Sequence, residues 1–343
     1  MKNLKLISFL MILASSLMFI QCTSDPIDGK DGIAGIDGVD GVDGADGVGV
    51  QECVACHSDG HRDAIYDQYA MSNHATGSSW YYAGTRADCA QCHSNQGYIE
   101  FQETGEVKAG FKNPEPISCT GCHKEHRSFD FANDGNDYAL RTLEPVTLVT
   151  DPTYAINSKN SSDLLGYSNT CVNCHQPREA APTPDVNGNA KIGSHWGPHH
   201  GPQGTMLEGL GGALIAGTAG YPGVGTANHK KGSSCVTCHM GTPATAEDGG
   251  HTWNPSTTAC VKCHTTVPTS VAGLDASRAT LLALLQAKGV ADANGNIIEG
   301  GTYPIKVVQA AWNYLYVKED RSNGIHNPIY TKALIQNSIE AVQ

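Results

Sequence analysis

Residues 119–123 read CTGCH, and the frame Cys-x-x-Cys-His returns at CVACH (53–57), CAQCH (89–93), CVNCH (171–175), CVTCH (235–239) and CVKCH (260–264). The six copies consume twelve of the thirteen cysteines in the 343-residue chain. In each copy one helical turn separates two thiols and an imidazole follows directly. Thiols so spaced can add to the two vinyl groups on one edge of a porphyrin, and the adjacent His then falls beneath the ring to ligate iron. This is the signature of c-type haem. The thioether positions are Cys53, Cys56, Cys89, Cys92, Cys119, Cys122, Cys171, Cys174, Cys235, Cys238, Cys260 and Cys263. The proximal ligands are His57, His93, His123, His175, His239 and His264.

Other uses of paired thiols explain the pattern less well. A zinc site does not require His behind every second Cys, and redox dithiols come singly at a strand-to-helix junction. Disulfides place no demand on His at all. With fifteen His in the chain, six coincidences in six motifs are improbable. The cofactor expectation is therefore six covalently bound c-type haems.

Working outward, the composition agrees. Only 40% of residues are apolar, Gly is high at 39 and Phe scarce at six, a thin supply for an aliphatic core. Porphyrins should fill part of the interior, and without haem the fold should not be stable. The formal charge is −12, with 34 acidic against 22 basic residues, which argues against nucleic acid as a partner.

At the N-terminus, Lys2 and Lys5 precede the apolar run LISFLMILASSLMFI (6–20), which reads as an export signal. It ends at Cys22, where a bacterial lipoprotein is cut and lipidated, although Gln21 stands where a small residue is usual. The alternative is an uncleaved membrane anchor; both take the chain out of the cytoplasm. The expectation is a lipid-anchored protein of the outer membrane, on its periplasmic or cell-surface face. After Cys22 comes DGKDGIAGIDGVDGVDGADGVGV (28–50), with Gly at every third position from 29 to 47. The period is collagen-like, but the repeat lacks Pro, so a flexible acidic spacer is favoured over a trimerising stalk. The expected organisation is a signal at 1–21, a spacer at 22–50, a haem-binding region at 51–270 and a C-terminal helical segment at 271–343.

The motifs are joined by Gly-, Pro-, Asn- and Ser-rich stretches without periodicity, predicting short helices, long loops and little β-structure. The last part differs. DASRATLLALLQAKG (275–289) carries Leu281, Leu282, Leu284 and Leu285 on a stripe behind Asp275 as a candidate N-cap. VVQAAWNYLYVKED (307–320) and IYTKALIQNSIEAV (329–342), the latter behind Pro328, repeat the pattern. The fold class expected is mainly α with extensive loops, organised by covalent haems and braced by C-terminal antiparallel helices.

What faces each iron opposite its proximal His decides function: a second ligand leaves electron transfer, an open face permits chemistry. Nine further His remain: His61, His74, His126, His195, His199, His200, His229, His251 and His326. Met is scarce beyond the leader. His126 lies three residues past a proximal His in CHKEH, and His229 precedes a motif in NHKKGSSC.

The fragments MSNHA (71–75), GPHHGPQGTML (197–207), CHM (238–240) with GGHT (249–252), and EDRSNGIHNPIYTKALI (319–335) resemble segments of multihaem c-type cytochromes. The related group includes the cytochrome c nitrite reductases, hydroxylamine-oxidoreductase-like proteins and their electron-transfer relatives. The resemblance spans roughly residues 51–343 and implies distal ligation by His74, by His199 or His200, by His251 and by His326. His126 and His229 complete six. The chain departs from the enzymes in that all six motifs end in His, where nitrite reductases place Lys at the catalytic haem.

The leading expectation is a hexahaem cytochrome carrying electrons between redox proteins, such as donor and acceptor cytochromes or a quinol-oxidising complex. The rival is a reductase of nitrite, hydroxylamine or a sulfur oxyanion at one open haem, with His195, Arg178 and Tyr167 as candidates for proton delivery and anion binding. A third is a subunit of an extracellular cytochrome filament, which makes self-assembly a further possibility.

Overall fold

The computed structural model describes residues 50–343. The signal segment, the Cys22 lipidation site and the spacer up to residue 49 lie outside the described residues. Six described helices reach eight residues or more: α1 Val50–His57, α2 Asp59–Met71, α3 Asn95–Thr104, α4 Leu274–Ala287, α5 Ile305–Asp320 and α6 Pro328–Val342. Shorter helical turns carry most of the Cys-x-x-Cys-His motifs. Strand content among the described residues is two small antiparallel sheets. In one, β1 Val146–Leu148 pairs with β2 Asp151–Ile156; in the other, β3 Asn189–Lys191 pairs with β4 Thr302–Pro304. This is the mainly helical, loop-rich class expected.

The aliphatic core is unevenly distributed. Between residues 53 and 145 the buried apolar side chains are Ala90 and Tyr98, and α2 buries none of its residues. The main cluster instead joins α4, α5 and α6 through Leu281, Leu285, Val308, Trp312, Tyr316, Tyr330 and Leu334, all at most 1% exposed. Each of these helices has an identifiable start. Asn327 accepts a hydrogen bond from the Tyr330 amide, with Pro328 in the first turn of α6. Asp275, expected to cap α4, lies in its first turn instead; the cap position is Gly273 at φ 79°, beyond the reach of an L-residue without strain. The acidic Asp275 still complements the helix dipole there.

Helix α5 also fixes the loop that follows residue 208. Trp312 Nε1 donates to the Gly211 carbonyl at 2.9 Å, and Tyr316 donates to the Leu210 carbonyl at 2.5 Å. Asn313 pairs with the amide and carbonyl of Ala213 at 2.7 and 2.9 Å. At Gly211, φ 84°, a β-carbon would meet the Tyr316 hydroxyl at 2.6 Å, so only glycine fits. The turn after α5, with Arg321, Asn323 and Gly324 all at positive φ, then delivers His326 and the Ile325 carbonyl toward the motif region. The C-terminal helices brace the loop-rich part, as the sequence led one to expect. No described helix is long and apolar enough to cross a membrane.

Candidate haem sites

The local chain builds each motif as a short helical turn, which puts the two thiols on one side of it. Cys119–Cys122 form one turn behind Ser118. Cys235–His239 form another, capped by the Ser234 hydroxyl, which accepts from the Thr237 amide at 3.3 Å. Among the described residues no two cysteines form a disulfide.

Each of the six motif histidines faces a second imidazole brought from elsewhere in the chain. Ring centroids lie 6.2 Å apart for His57 and His126, 5.7 Å for His93 and His199, and 6.3 Å for His123 and His251. They lie 6.2 Å apart for His175 and His74, 6.3 Å for His239 and His326, and 6.0 Å for His264 and His229. A metal bonded on both sides by ring nitrogens at about 2 Å separates the centroids by about 6 Å. The donor set, two thiols and two facing imidazoles repeated six times, therefore fits haem.

The far nitrogens of these rings support the same orientation. His123 Nδ1 pairs with the Tyr138 carbonyl at 2.8 Å, His229 Nδ1 with Ile325 at 2.6 Å and His239 Nδ1 with Trp253 at 2.7 Å. His175 Nδ1 meets Gln203 Oε1 at 3.0 Å, and Gln203 donates in turn to the Glu319 carbonyl at 3.0 Å. His326 and His126 meet the carboxylates of Asp320 and Asp137 at 2.7 and 3.4 Å. An Nδ1–H occupied in this way fixes the tautomer and leaves Nε2 for a metal.

Burial keeps several of these rings neutral, the state in which imidazole ligates. Burial, then the neighbouring His175, lowers His74 to about 4. Burial, then His200 and His93, does the same for His199, and burial with His123 for His251. His326 is also pushed down by burial, but the Asp320 carboxylate outweighs this and raises it on balance.

Of the predicted distal residues, His74, His126, His199, His229, His251 and His326 each face a motif histidine. His200 does not: its Nδ1 pairs with Glu319 at 2.8 Å, and that hydrogen bond raises its pKa. His199 is placed instead by a left-handed backbone, φ 66°. The three residues proposed for a reductase are held by separate partners. Arg178 lies 3.7 Å from Cys89 Sγ, Tyr167 donates to the Asn136 carbonyl at 2.8 Å, and the His195 amide meets Glu299.

The sites adjoin one another. Cys92 Sγ lies 3.8 Å from the Asn173 carbonyl and Cys174 Sγ 4.0 Å from that of Gln91, and the Val236 amide donates to Ser168 Oγ at 3.1 Å, so the second, fourth and fifth motifs adjoin. The Ser256 amide donates to the Cys238 carbonyl at 2.8 Å, tying the fifth motif to the segment before the sixth. His126 joins the first site to the third by lying three residues beyond His123. Tyr98, 2% exposed, sits among Cys92, Cys122, Cys171 and Cys174 with no hydrogen-bond partner for its hydroxyl among the described residues.

Sequence reasoning missed Trp253, Tyr98, Asp320, Asp137 and Gln203, the residues behind the ligands. Trp253 adjoins His251 in GGHTW, the one local signal. Asp320 meets His326 through the turn after α5, and Gln203 meets His175 from the chain next to it, the Gly204 amide donating to the His175 carbonyl.

No family model matches the chain. Curated relatives from Geobacter sulfurreducens are the C-type polyheme cytochrome OmcC, 26% identical over 73% of this chain and 36% of the relative, and OmcB, 26% identical over 76% and 44%. The chain thus spans less than half the length of these relatives. Among solved structures, the outer cell wall cytochrome OcwA is similar in fold, with TM-score 0.52 and 23% identity over 81% of this chain and 50% of that one.

Proposed function

We propose that this chain, a multihaem c-type cytochrome, holds six haems and carries electrons between redox proteins at the outer surface of a bacterial cell. The observation that carries the reading is the pairing of all six motif histidines with a second imidazole. The motif cysteines would hold each haem covalently, and the pairs would supply its axial ligands: His57 with His126, His93 with His199, His123 with His251, His175 with His74, His239 with His326, and His264 with His229. When bound, haem iron supplies a one-electron couple that cycles without breaking bonds.

The chain's own residues do the rest. Backbone carbonyls, Gln203, Asp137 and Asp320 orient the rings, burial keeps His74, His199 and His251 neutral, and the contacts between motifs hold neighbouring sites side by side. A ligand on both faces of each site favours electron carriage over a reductase, which needs one open face. Export, a lipid on Cys22 and the acidic spacer would tether the relay at the outer membrane. The similar structure, named an outer cell wall cytochrome, fits a surface address.

Pyridine haemochrome and intact mass of the exported protein should give six haems, and electron paramagnetic resonance should give low-spin ferric signals throughout. A lower count, or a high-spin component in the intact protein, overturns the reading.

A further inference from the structure

The carboxylate of Asp320 is fully buried at the end of α5. It accepts from His326 Nδ1 at 2.7 Å and from the Ser322 hydroxyl. Among the described residues no Lys or Arg makes an ion pair with it. Arg321, its neighbour in the chain, turns to Glu319 at 3.9 Å and is largely exposed.

Asp137 is the instructive contrast. It also meets a facing histidine, His126, but at 3.4 Å, and Arg127 Nη1 stands 3.0 Å from its other oxygen. The amides of Arg127 and Ala139 donate to it as well. Its charge is therefore balanced locally. His123, His175, His229 and His239 are backed by neutral oxygens. Asp320 alone among these supports brings an unbalanced negative charge.

A buried carboxylate without a counter-charge is strongly unfavourable. The positive centre that can balance Asp320 lies across the imidazole ring, at the metal position between His326 and His239. Ferric iron carries one more positive charge than ferrous iron. Adding one electron from an external redox donor removes that charge and leaves the carboxylate uncompensated. A carboxylate behind a ligating histidine also makes the ring a stronger donor, which favours the ferric state again.

Resting on the ligand pairing above, we infer that Asp320 is a positioning residue that acts through His326 to make the His239/His326 site the hardest of the six to reduce. The string of sites is then uneven: an electron meets a barrier at this site, whichever end it enters. The site adjoins the fourth motif, where the Val236 amide donates to Ser168 Oγ at 3.1 Å, and the sixth, where the Ser256 amide donates to the Cys238 carbonyl at 2.8 Å, so the barrier stands between those two.

The test is a redox titration of the purified holoprotein, followed optically and by electron paramagnetic resonance, with Asp320→Asn and Asp320→Glu. In Asp320→Asn one titrating component should become easier to reduce. At the potential where that site is half-reduced in the wild type, its ferric-to-ferrous ratio should fall about tenfold, or about 59 mV for a one-electron couple. Its signal should stay low-spin, and Asp320→Glu should return the component toward its wild-type position. Superimposable titrations of wild type and Asp320→Asn overturn the inference. So does conversion of one site to high-spin in both variants, because Asp320 would then only be holding the loop. A wild-type protein with fewer than six low-spin haems overturns the ligand pairing instead, before the variants are compared.

Discussion

The indole of Trp253 stands edge-on to the imidazole of His74, with 4.6 Å between ring centroids, on a backbone held at φ 54°. Positive φ in a bulky residue is strained, and the surroundings show what holds it. The same indole packs 5.4 Å from His251, and the Trp253 carbonyl accepts from His239 Nδ1 at 2.7 Å. One residue touches the imidazoles of three sites.

Trp253→Ala should therefore disturb two sites at once, those of His74 and His251, because the carbonyl that meets His239 stays with the backbone. Loss of a half-buried indole costs about 2 kcal/mol, below the 3–5 for a fully buried one. Relief of the left-handed strain offsets little, since Ala is also disfavoured there. Electron paramagnetic resonance should show changed low-spin signals for two haems, with Trp253→Phe intermediate. A change at one site alone would show that the indole is only local packing.

The distribution of buried side chains predicts where the protein depends on haem. With all twelve motif cysteines replaced by Ala, hydrogen exchange should find residues 53–145 unprotected, because only a few apolar side chains, Ala90 and Tyr98 among them, are buried there. The helices α4 to α6 should keep measurable protection. Conversely, Leu334→Ala in the holoprotein should cost about 2–5 kcal/mol and leave the haem count unchanged. Equal loss of protection in both parts would show that the C-terminal core cannot stand without haem.

That contrast also marks how far the sequence could be read. The motifs give the cofactor chemistry directly, because covalent attachment and proximal ligation come from five contiguous residues. The stripe of Leu281, Leu282, Leu284 and Leu285 gives α4 by its period. The pairing of His93 with His199 is another matter: 106 residues separate them, and only tertiary folding selects His199 over its neighbour. Asp275 offers a side chain as an N-cap, but the chain needs a positive φ there, which Gly273 supplies. Asp320 lies in the fragment EDRSNGIHNPIYTKALI, but nothing in its spacing marks it as the partner of His326, which depends on the turn that joins them.

Asp248 ties down the loop that carries His251. It accepts from the amides of Ala244 and Thr245 at 2.7 and 2.8 Å and from that of Thr257 at 3.1 Å. The backbone amides of Thr245 and Thr257 are the main cause that lowers its pKa from 3.8 to about 2. A carboxylate depressed by folding adds stability that is complete above its unfolded pKa and vanishes as pH falls through the folded one. The contribution should thus be present above about pH 4 and fade toward pH 2. Asp248→Asn should unfold earlier than wild type at neutral pH, with the two acid-unfolding curves converging near pH 2. A gap that persists at pH 2 would mean that shape, not charge, matters here.

The adjacent pair His199 and His200 allows the sharpest test of the ligand geometry. His199 Nε2 stands 3.4 Å from His93 Nε2, whereas His200 points its Nδ1 at Glu319. Rotating His200 into the site would break that pairing and unwind the φ 66° at His199. His199→Ala should therefore turn one ferric haem high-spin, and added imidazole should restore it. His200→Ala should leave all signals low-spin and the haem count intact, with at most a small loss of stability from a half-exposed ion pair. The reverse result, high-spin in His200→Ala and none in His199→Ala, would exchange the two roles.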